Sequence, residues 1–540
     1  MIDTKNLSGD IFGGVTAAVV ALPLALAFGV QSGMGAIAGL YGAIALGILA
    51  AIFGGTKTQI SGPTGPMAVV AAAVIAGEIA VYGSLEAAIG TIVATFVLAG
   101  VFQILMGISG IGQYIRYMPY PVISGFMSGI GLIIIFLQIF PFFGLDSPTA
   151  IVDVFASLGD IGKNMNMQAV LLSLATIAII YLFPRVTTKV PSALVALIGL
   201  TLVTVFVGLN VPVIGDIPKG LPEVHLNTLL TMDWHHPMVM VIPALTLAAL
   251  GAIDALLTSV VADNKTKTKH NSNRELIGQG IGNIGAGLIG GLPGAGATMR
   301  TVVNIDAGGR TRLSGVIHGL GLLVVLLGAS EYAALIPLPV LAGILITVGL
   351  GIIDYKGLKH IKDVPRSEAV IMLIVLGLTV FVDLLQAVAV GMVMASILFM
   401  KKMGDVAEER AHAMPMDASS GGLLEDTDAP CQVYVQTFDG PIFFGFTSYF
   451  SQIISDLPEV KMVVLRMENV PYIDQSGMYA IEDAVLEIEK RGIEVFITGI
   501  QKQPEDMLRR IKLIPEVIEE ESLFNDFETF KRFVSIAKNN

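Results

Sequence analysis

The chain has 540 residues, of which 54% are apolar and 14% are charged, whereas soluble domains usually carry about a quarter charged residues. A mean hydropathy of +0.76 places it in the membrane class. Its net charge of −12 argues against nucleic acid as a partner, because phosphate binding needs a basic surface. The single cysteine, Cys431, excludes an internal disulfide framework and a multi-cysteine metal site.

Apolar runs long enough to cross about 30 Å of hydrocarbon recur through the first 400 residues. We predict twelve full spans near 11–32, 35–55, 87–109, 122–144, 168–184, 191–208, 237–262, 275–292, 314–329, 333–353, 368–382 and 384–400. Two shorter segments, near 64–77 and 297–307, begin at glycine- and proline-rich breaks. The total is fourteen passes, two of them interrupted.

Basic residues concentrate in every second connection between these spans. Those connections hold Lys57, Arg116, Arg185, Lys189, Lys265, Lys267, Lys269, Arg274, Arg310, Arg312, Lys356, Lys359, Lys362 and Arg366. The opposite connections are acidic, and their basic residues are Lys163 and Lys219. Because basic loops stay in the cytoplasm, this asymmetry predicts that both termini are cytoplasmic.

Fourteen passes divide into two units of seven, and an odd-numbered unit repeated in tandem must be inverted in the membrane. The third segment opens with "SGPTGPMAVV" and the tenth with "GAGATMRTVV". Both have a small-residue turn, a threonine and a valine pair, although two glycine-rich apolar segments can also resemble each other by chance. Matched interruptions predict a binding site near the middle of the membrane.

The composition changes after the last span. Residues 1–402 form the predicted transmembrane domain, and the polar, glycine- and serine-containing segment 403–430 is typical of a linker. From 431 to 540, short strand-like runs alternate with an amphipathic helix, which indicates a small cytoplasmic α/β domain.

Arg300 lies within the tenth segment, and an intramembrane arginine is a functional candidate by default because it is costly to bury. A helix starting near Thr298 would direct free amide groups and a positive dipole end at the same place. The break before the third segment would supply a second such end. A structural ion pair, or an arginine reaching back to the cytoplasmic surface, is the competing interpretation.

Asp254 is the second intramembrane charge, and Thr258, four residues later, shares its helix face. A carboxylate there could coordinate Na⁺ or carry a proton. The alternative is a salt bridge that neutralises Arg300. A nearby Gly280-Gly282-Gly285 pattern matches a nucleotide-binding fingerprint formally, but helix packing explains it better in an apolar span.

Two polar residues of the C-terminal domain, Asp474 and Ser476, lie at a predicted strand-to-helix junction. They either cap the helix or form a regulatory position for phosphorylation or partner docking.

These stretches together resemble the sulfate permease family, also called the solute carrier 26 family, along nearly the whole chain. The matching motifs include "ISGPTGPMAVV", "LGAIDALLTSVVAD", "NRELIGQGIGNI" and "GAGATMRTVVN", and "VPYIDQSGMYAIED" resembles the STAS (sulfate transporter and anti-sigma antagonist) domain. The resemblance implies a polytopic α-helical membrane protein with fourteen segments as a seven-plus-seven inverted repeat. It also implies core and gate subdomains, an elevator-type cycle, a homodimer and a bacterial inner-membrane location.

The resemblance also implies the site. The anion site corresponds to Pro63, Thr64, Gly65, Gly296, Ala297 and Thr298, to which the residue argument adds Arg300. The cation site of bicarbonate-transporting members corresponds to Asp254, Thr258, Gly296 and Thr298. A fixed positive charge near a Na⁺ site would repel the cation, so Na⁺ coupling, H⁺ coupling and simple exchange all stay open.

We therefore predict a non-enzymatic secondary transporter of bicarbonate, sulfate or a similar small anion, embedded in membrane lipid, with no cofactor and no metal beyond a coupling ion. A proton-coupled dicarboxylate carrier is one alternative. Another is an anion channel or sensor that signals to a cytoplasmic partner through the STAS domain. A carrier of neutral nucleobases is disfavoured by Arg300.

Overall fold

The computed structural model describes residues 6–114, 117–148, 151–187, 190–215, 222–231, 237–382, 384–410, 412–416, 433–444, 457 and 459–537. The chain divides into two compact units, Met1–Val393 and Met394–Asn540.

The first unit is helical. Its helices are α1 (Leu7–Gln31), α2 (Ala36–Phe53), α3 (Gly65–Tyr82), α4 (Leu85–Ile108), α5 (Tyr120–Leu137), α6 (Ile139–Phe142), α7 (Ile151–Ala156), α8 (Leu158–Asn164), α9 (Met167–Leu182), α10 (Ser192–Val207), α11 (Leu226–Thr231), α12 (Pro237–Thr266), α13 (Ser272–Leu288), α14 (Thr298–Asp306), α15 (Arg312–Ala333), α16 (Leu338–Ile352), α17 (Tyr355–Lys359), α18 (Arg366–Phe381) and the start of α19 (Leu384–Arg410). Two short strands, β1 (Ser61–Gly62) and β2 (Ala295–Gly296), interrupt the helical pattern.

A helix lies at each of the fourteen predicted segments. Within the described part of the chain, eight helices are long and apolar enough to cross a membrane, and three shorter apolar helices accompany them. The number of passes and the position of the termini remain predictions.

Several predicted bounds differ from those of the helices by a few residues, and two of them have a local cause. The third segment is not short, because α3 runs for 18 residues to Tyr82 and is followed by Gly83, which has a left-handed backbone. The fifth span ends at Leu137 rather than at 144. Pro141, in the separate α6, has no N–H for a continuing helix, which explains the break.

The helices of the first unit pack as two groups. One group contains α1–α4 and α12–α15, and the other contains α5, α9, α10, α16 and α18. Each group takes helices from both halves of the chain. This division agrees with the core and gate subdomains that the resemblance implies.

Glycines allow close packing inside the first group. A Cβ atom on Gly280 would lie 2.5 Å from the Gly100 carbonyl oxygen, and one on Gly100 would lie 2.6 Å from that of Gly280. The backbones of α4 and α13 therefore meet directly, which confirms packing rather than nucleotide binding as the reason for this glycine pattern.

Asp354 connects two helices of the second group at the end of α16. Its Oδ2 atom accepts hydrogen bonds from Tyr120 Oη and Ser124 Oγ, each at 2.6 Å. Burial alone would raise the pKa of Asp354, but the hydrogen bonds, led by that from Ser124, outweigh it and lower the pKa.

The second unit contains a five-stranded sheet in the order β3 (His412–Met416), β4 (Val433–Asp439), β5 (Met462–Asn469), β6 (Glu494–Thr498) and β7 (Leu523–Phe524). β3 is antiparallel to β4, and the remaining pairs are parallel. The helices are α20 (Gln475–Lys490), α21 (Lys502–Arg510), α22 (Leu513–Glu516) and α23 (Phe527–Ala537).

Alternation along β5 directs side chains to two cores. Val463, Leu465 and Met467 join a cluster that includes residues of α20, whereas Val464 joins phenylalanines of α23. The α/β prediction for this domain is confirmed.

The linker does not begin at residue 403 as predicted. Residues 403–410 continue α19, and His412–Met416 form an edge strand of the sheet. The remainder of the predicted linker, 417–430, lies outside the described residues, as does Cys431.

Candidate functional site

The two predicted breaks meet in the structure. β1 and β2 form an antiparallel pair in which Ser61 faces Gly296 and Gly62 faces Ala295. Because the strands are antiparallel, the helices that follow them leave the pair in opposite directions. The N-termini of α3 and α14 therefore lie together.

Neither helix start is capped by a side chain. Thr64 and Ala297 occupy the two N-cap positions with extended backbones, and neither makes a side-chain cap hydrogen bond. The first-turn amides of a helix have no acceptor within the helix, and this end carries a partial positive charge. Two such ends at one place favour a bound anion.

Small residues make the close approach possible. A Cβ atom on Gly294 would lie 2.1 Å from the Gly62 carbonyl oxygen. The Asn283 side chain fixes the same turn, since Nδ2 donates to the Gly294 carbonyl at 3.0 Å and Oδ1 accepts from its amide at 2.8 Å. Ala297 N donates to the Ile60 carbonyl at 2.8 Å.

Arg300 extends from α14 across to the other break. Its side chain is 2% exposed, and Nη2 donates to the Pro63 carbonyl oxygen. Nη1 is buried without a hydrogen-bond partner. Arg300 therefore joins the two breaks and does not reach a surface, so the idea of a surface-seeking arginine is wrong.

Thr258 and Asp254 reach the site from α12. Thr258 Oγ1 donates to the Gly296 carbonyl at 2.9 Å and lies 2.7 Å from Thr298 Oγ1. Asp254 is partly buried, and its Oδ2 atom has no hydrogen-bond partner. Within the described residues no direct ion pair joins Asp254 to Arg300, although their charges interact across the site.

Three buried polar atoms thus remain without a partner here: Arg300 Nη1, Thr64 Oγ1 and Asp254 Oδ2. The Thr64 hydroxyl lies beside the Asp254 carboxylate without completing a hydrogen bond. Leaving a buried polar group unpaired costs about 1–3 kcal/mol. A guanidinium, a hydroxyl and a carboxylate that remain unpaired together indicate a place for a small polar ligand.

An apolar wall closes the other side of the α3 N-terminus. A Cβ atom on Gly65 would lie 2.7 Å from Ile134 Cδ1 of α5 and 3.2 Å from Ile352 Cδ1 of α16. The candidate site is formed by helices of the first group, and α5 and α16 of the second group therefore pack against it.

One set of buried polar residues was missed by sequence reasoning. Glu275, Gln279 and Asn283 lie on one face of α13, and each is at most 1% exposed. They recur at every fourth position, so their spacing in an otherwise apolar span was the available signal. Together with Gln59 and Ser259 they surround the two breaks.

Comparison with known proteins identifies the class. Residues 7–375 match the model of the sulfate permease family, and residues 426–530 match that of the STAS domain. The chain belongs to the sulfate permease family, whose members are anion transporters of membranes and not enzymes.

Individual relatives agree with this assignment. The chain is 42% identical over 545 residues to the bicarbonate transporter BicA of Picosynechococcus sp., covering 99% of this chain and 96% of that protein. The solved transmembrane domain of a cyanobacterial bicarbonate transporter BicA is 50% identical, with a TM-score of 0.66, and the match covers 72% of this chain and 98% of that one. Murine solute carrier 26 family member A9 shares the fold at 18% identity, with a TM-score of 0.83 and coverage of 99% and 92%.

Proposed function

We propose that this protein is a secondary transporter of bicarbonate, which binds where the N-termini of α3 and α14 meet. Thr64 and Arg300 donate hydrogen bonds to the anion, and the first-turn amides of both helices stabilise its charge. The supporting observation is the group of three unpaired polar atoms on Arg300, Thr64 and Asp254. The relatives named as bicarbonate transporters support the choice of substrate.

The unpaired carboxylate favours bicarbonate over sulfate. Bicarbonate carries one O–H donor beside its acceptor oxygens, whereas sulfate at neutral pH carries acceptors alone. A site that combines donors on Arg300 and Thr64 with an acceptor on Asp254 matches the donor and acceptor groups of bicarbonate. Sulfate would leave the Asp254 oxygen unpaired, and its two charges would lie near that carboxylate.

A dicarboxylate fits this site less well. A dicarboxylate would bring two charges close to the Asp254 carboxylate, and Arg300 is the buried cationic side chain of this site that could offset them.

We also propose that Asp254 couples transport to a cation. It lies beside the anion site on a helix that contacts both α13 and α14, and a carboxylate at this place can carry a proton or contribute to a Na⁺ shell. Movement of the first helix group against the apolar wall of Ile134 and Ile352 would give elevator-type access. We further propose that both termini are cytoplasmic and that the protein is a homodimer in a bacterial plasma membrane. Its STAS domain would bind a cytoplasmic partner.

Uptake into proteoliposomes tests the proposal. Labelled bicarbonate, sulfate and succinate are offered separately, with and without Na⁺ and a pH gradient, and protein-free vesicles correct for CO₂ leakage. We expect saturable bicarbonate uptake that internal bicarbonate stimulates. Flux without saturation would indicate a channel, and absence of flux for all three anions would leave a sensor as the better reading. Dependence on Na⁺ or on the pH gradient identifies the coupling ion.

A further inference from the structure

Glu275 is a fully buried carboxylate at the start of α13, and it is 1% exposed. Its Oε2 atom accepts hydrogen bonds from the backbone amides of Gly55 at 2.8 Å and Thr56 at 2.7 Å. Its Oε1 atom accepts from Gln59 Nε2 at 2.9 Å and Gln279 Nε2 at 2.8 Å. Four donors therefore satisfy this one carboxylate.

The same turn is held by two arginines. Arg274 Nε donates to the Phe53 carbonyl at 3.2 Å, and Arg312 Nη2 donates to the Gly54 carbonyl at 2.7 Å. The arginines thus bind carbonyls at the end of α2, while Glu275 binds the next two amides. Among the described residues Glu275 forms no direct ion pair, so it acts on the backbone rather than as a partner of either cation.

The glutamines extend this contact to both sides of the anion site. Gln279 Nε2 also donates to Ser61 Oγ on β1 at 2.6 Å. Gln59 Oε1 accepts from Ser259 Oγ at 2.9 Å, and Ser259 follows Thr258 on α12. The connection therefore runs from Glu275 to β1, which precedes Thr64, and to the helix that carries Asp254.

The fit around these side chains is tight. A Cβ atom on Gly296 would lie 2.0 Å from Gln59 Nε2, so the amide packs directly against the second break. A shift of Gln59 would displace the backbone to which Thr258 is bonded.

We infer that Glu275 is a positioning residue for the anion site. It fixes residues 55–61, and through them it places Pro63 and Thr64 opposite Arg300 and Asp254. A buried carboxylate is costly to desolvate and an apolar residue would suit a membrane span better, so its four hydrogen bonds maintain a geometry rather than maximise stability. This inference rests on the proposed anion site.

The test compares Glu275→Gln and Glu275→Ala with the wild-type full-length protein in detergent. Glu275→Gln keeps one oxygen for the Gly55 and Thr56 amides, whereas Glu275→Ala removes both. Hydrogen exchange of the peptide covering 55–61 should rise slightly in the first variant and strongly in the second. The dissociation constant for bicarbonate should rise in the same order, by about tenfold for the alanine, since small displacements of positioning groups have effects of this size or larger.

Asp10→Asn is the matched control. Asp10 is also a buried carboxylate, which accepts from the Arg310 amide at 2.7 Å, the Thr311 amide at 2.9 Å and Thr311 Oγ1 at 2.6 Å. It has no bond to residues 55–61. We expect this variant to lower thermal stability while the bicarbonate dissociation constant stays within about twofold of the wild-type value.

The outcomes separate the two proposals. If wild-type protein binds neither bicarbonate nor sulfate, the proposed function fails, while the exchange of peptide 55–61 still reports whether Glu275 holds it. If wild-type protein binds bicarbonate and both Glu275 variants bind it equally well, the positioning role is overturned. Unchanged exchange in a folded Glu275→Ala protein would overturn it as well.

Discussion

The breaks before α3 and α14 have the same backbone design but different side chains. Each consists of a two-residue strand, an extended, uncapped N-cap residue and a helix, and Pro63 is an additional residue between β1 and its N-cap. The α3 break contributes a hydroxyl and a carbonyl, from Thr64 and Pro63, and has no charge in its first turn. The α14 break adds Arg300, and its helix has only nine residues.

This difference shows how a symmetric backbone supports an asymmetric site. The paired strands place two positive helix ends together, which suits a small anion without regard to its identity. Arg300 then binds the opposite break through Pro63 and keeps one nitrogen free. The backbone of the α3 break therefore fixes the position of the charged group that the α14 break contributes.

Removing the charged side chain should have the largest effect. In Arg300→Ala the anion loses a charge-assisted hydrogen bond, a contribution of about 2–3 kcal/mol, so bicarbonate affinity should fall about 30- to 150-fold. Isothermal titration or a competition uptake assay measures this change. Arg300→Lys is the graded control, because it keeps the charge but cannot donate from two nitrogens.

Unchanged bicarbonate affinity in a folded Arg300→Ala protein would contradict the anion site. It would leave Arg300 as a structural clamp between the two breaks.

Asp254→Asn tests the carboxylate that faces both breaks. The amide can neither carry a proton as the carboxylate does nor balance a cation, so gradient-driven accumulation should be lost, while exchange of internal for external bicarbonate continues. Uptake and counterflow in the same proteoliposomes measure the two activities. Full gradient-driven uptake would show that Asp254 is structural.

The positions of the breaks were predictable from local residue types. Glycine, proline and threonine at 61–66 and 294–298 signalled interrupted helices, and the intramembrane cost of Arg300 signalled a function. Its contact with Pro63, 237 residues earlier, could not be predicted, because no local pattern encodes which carbonyl a long side chain reaches.

The contacts of the buried polar residues around the site could not be predicted from the sequence for the same reason. A spacing of four places Glu275, Gln279 and Asn283 on one helix face, but the Gly55 amide that Glu275 binds lies 220 residues away. The strand His412–Met416 was missed because Pro415 is untypical of a strand. Proline is tolerated there because β3 is an edge strand.

Thr64 tests the uncharged break, with a smaller expected effect. Thr64→Ala removes one neutral hydrogen-bond donor, a contribution of about 1 kcal/mol, so bicarbonate affinity should fall about fivefold. Thermal stability should change little, because the Thr64 side chain makes no cap hydrogen bond. Thr64→Ser keeps the hydroxyl and should bind nearly as well as the wild type; equal affinities for alanine and serine would remove Thr64 from the site.

The start of α20 in the second unit provides the opposite case and the smallest expected effect on transport. Asp474 is the N-cap of α20, and its Oδ1 atom accepts from the Gly477 amide at 2.7 Å, whereas Ser476 lies inside the helix. Asp474→Ala removes this cap, which costs about 1 kcal/mol, so amide exchange in the first turn of α20 should rise about fivefold. Asp474→Asn retains the acceptor and should restore protection, and bicarbonate affinity should stay unchanged in both variants.

The two kinds of helix start should therefore respond differently to mutation. Loss of the side-chain cap at α20 should lower local stability, whereas mutation at the uncapped starts of α3 and α14 should lower ligand affinity. A lowered bicarbonate affinity in Asp474→Ala would break that distinction and would point instead to regulation of the anion site by the STAS domain.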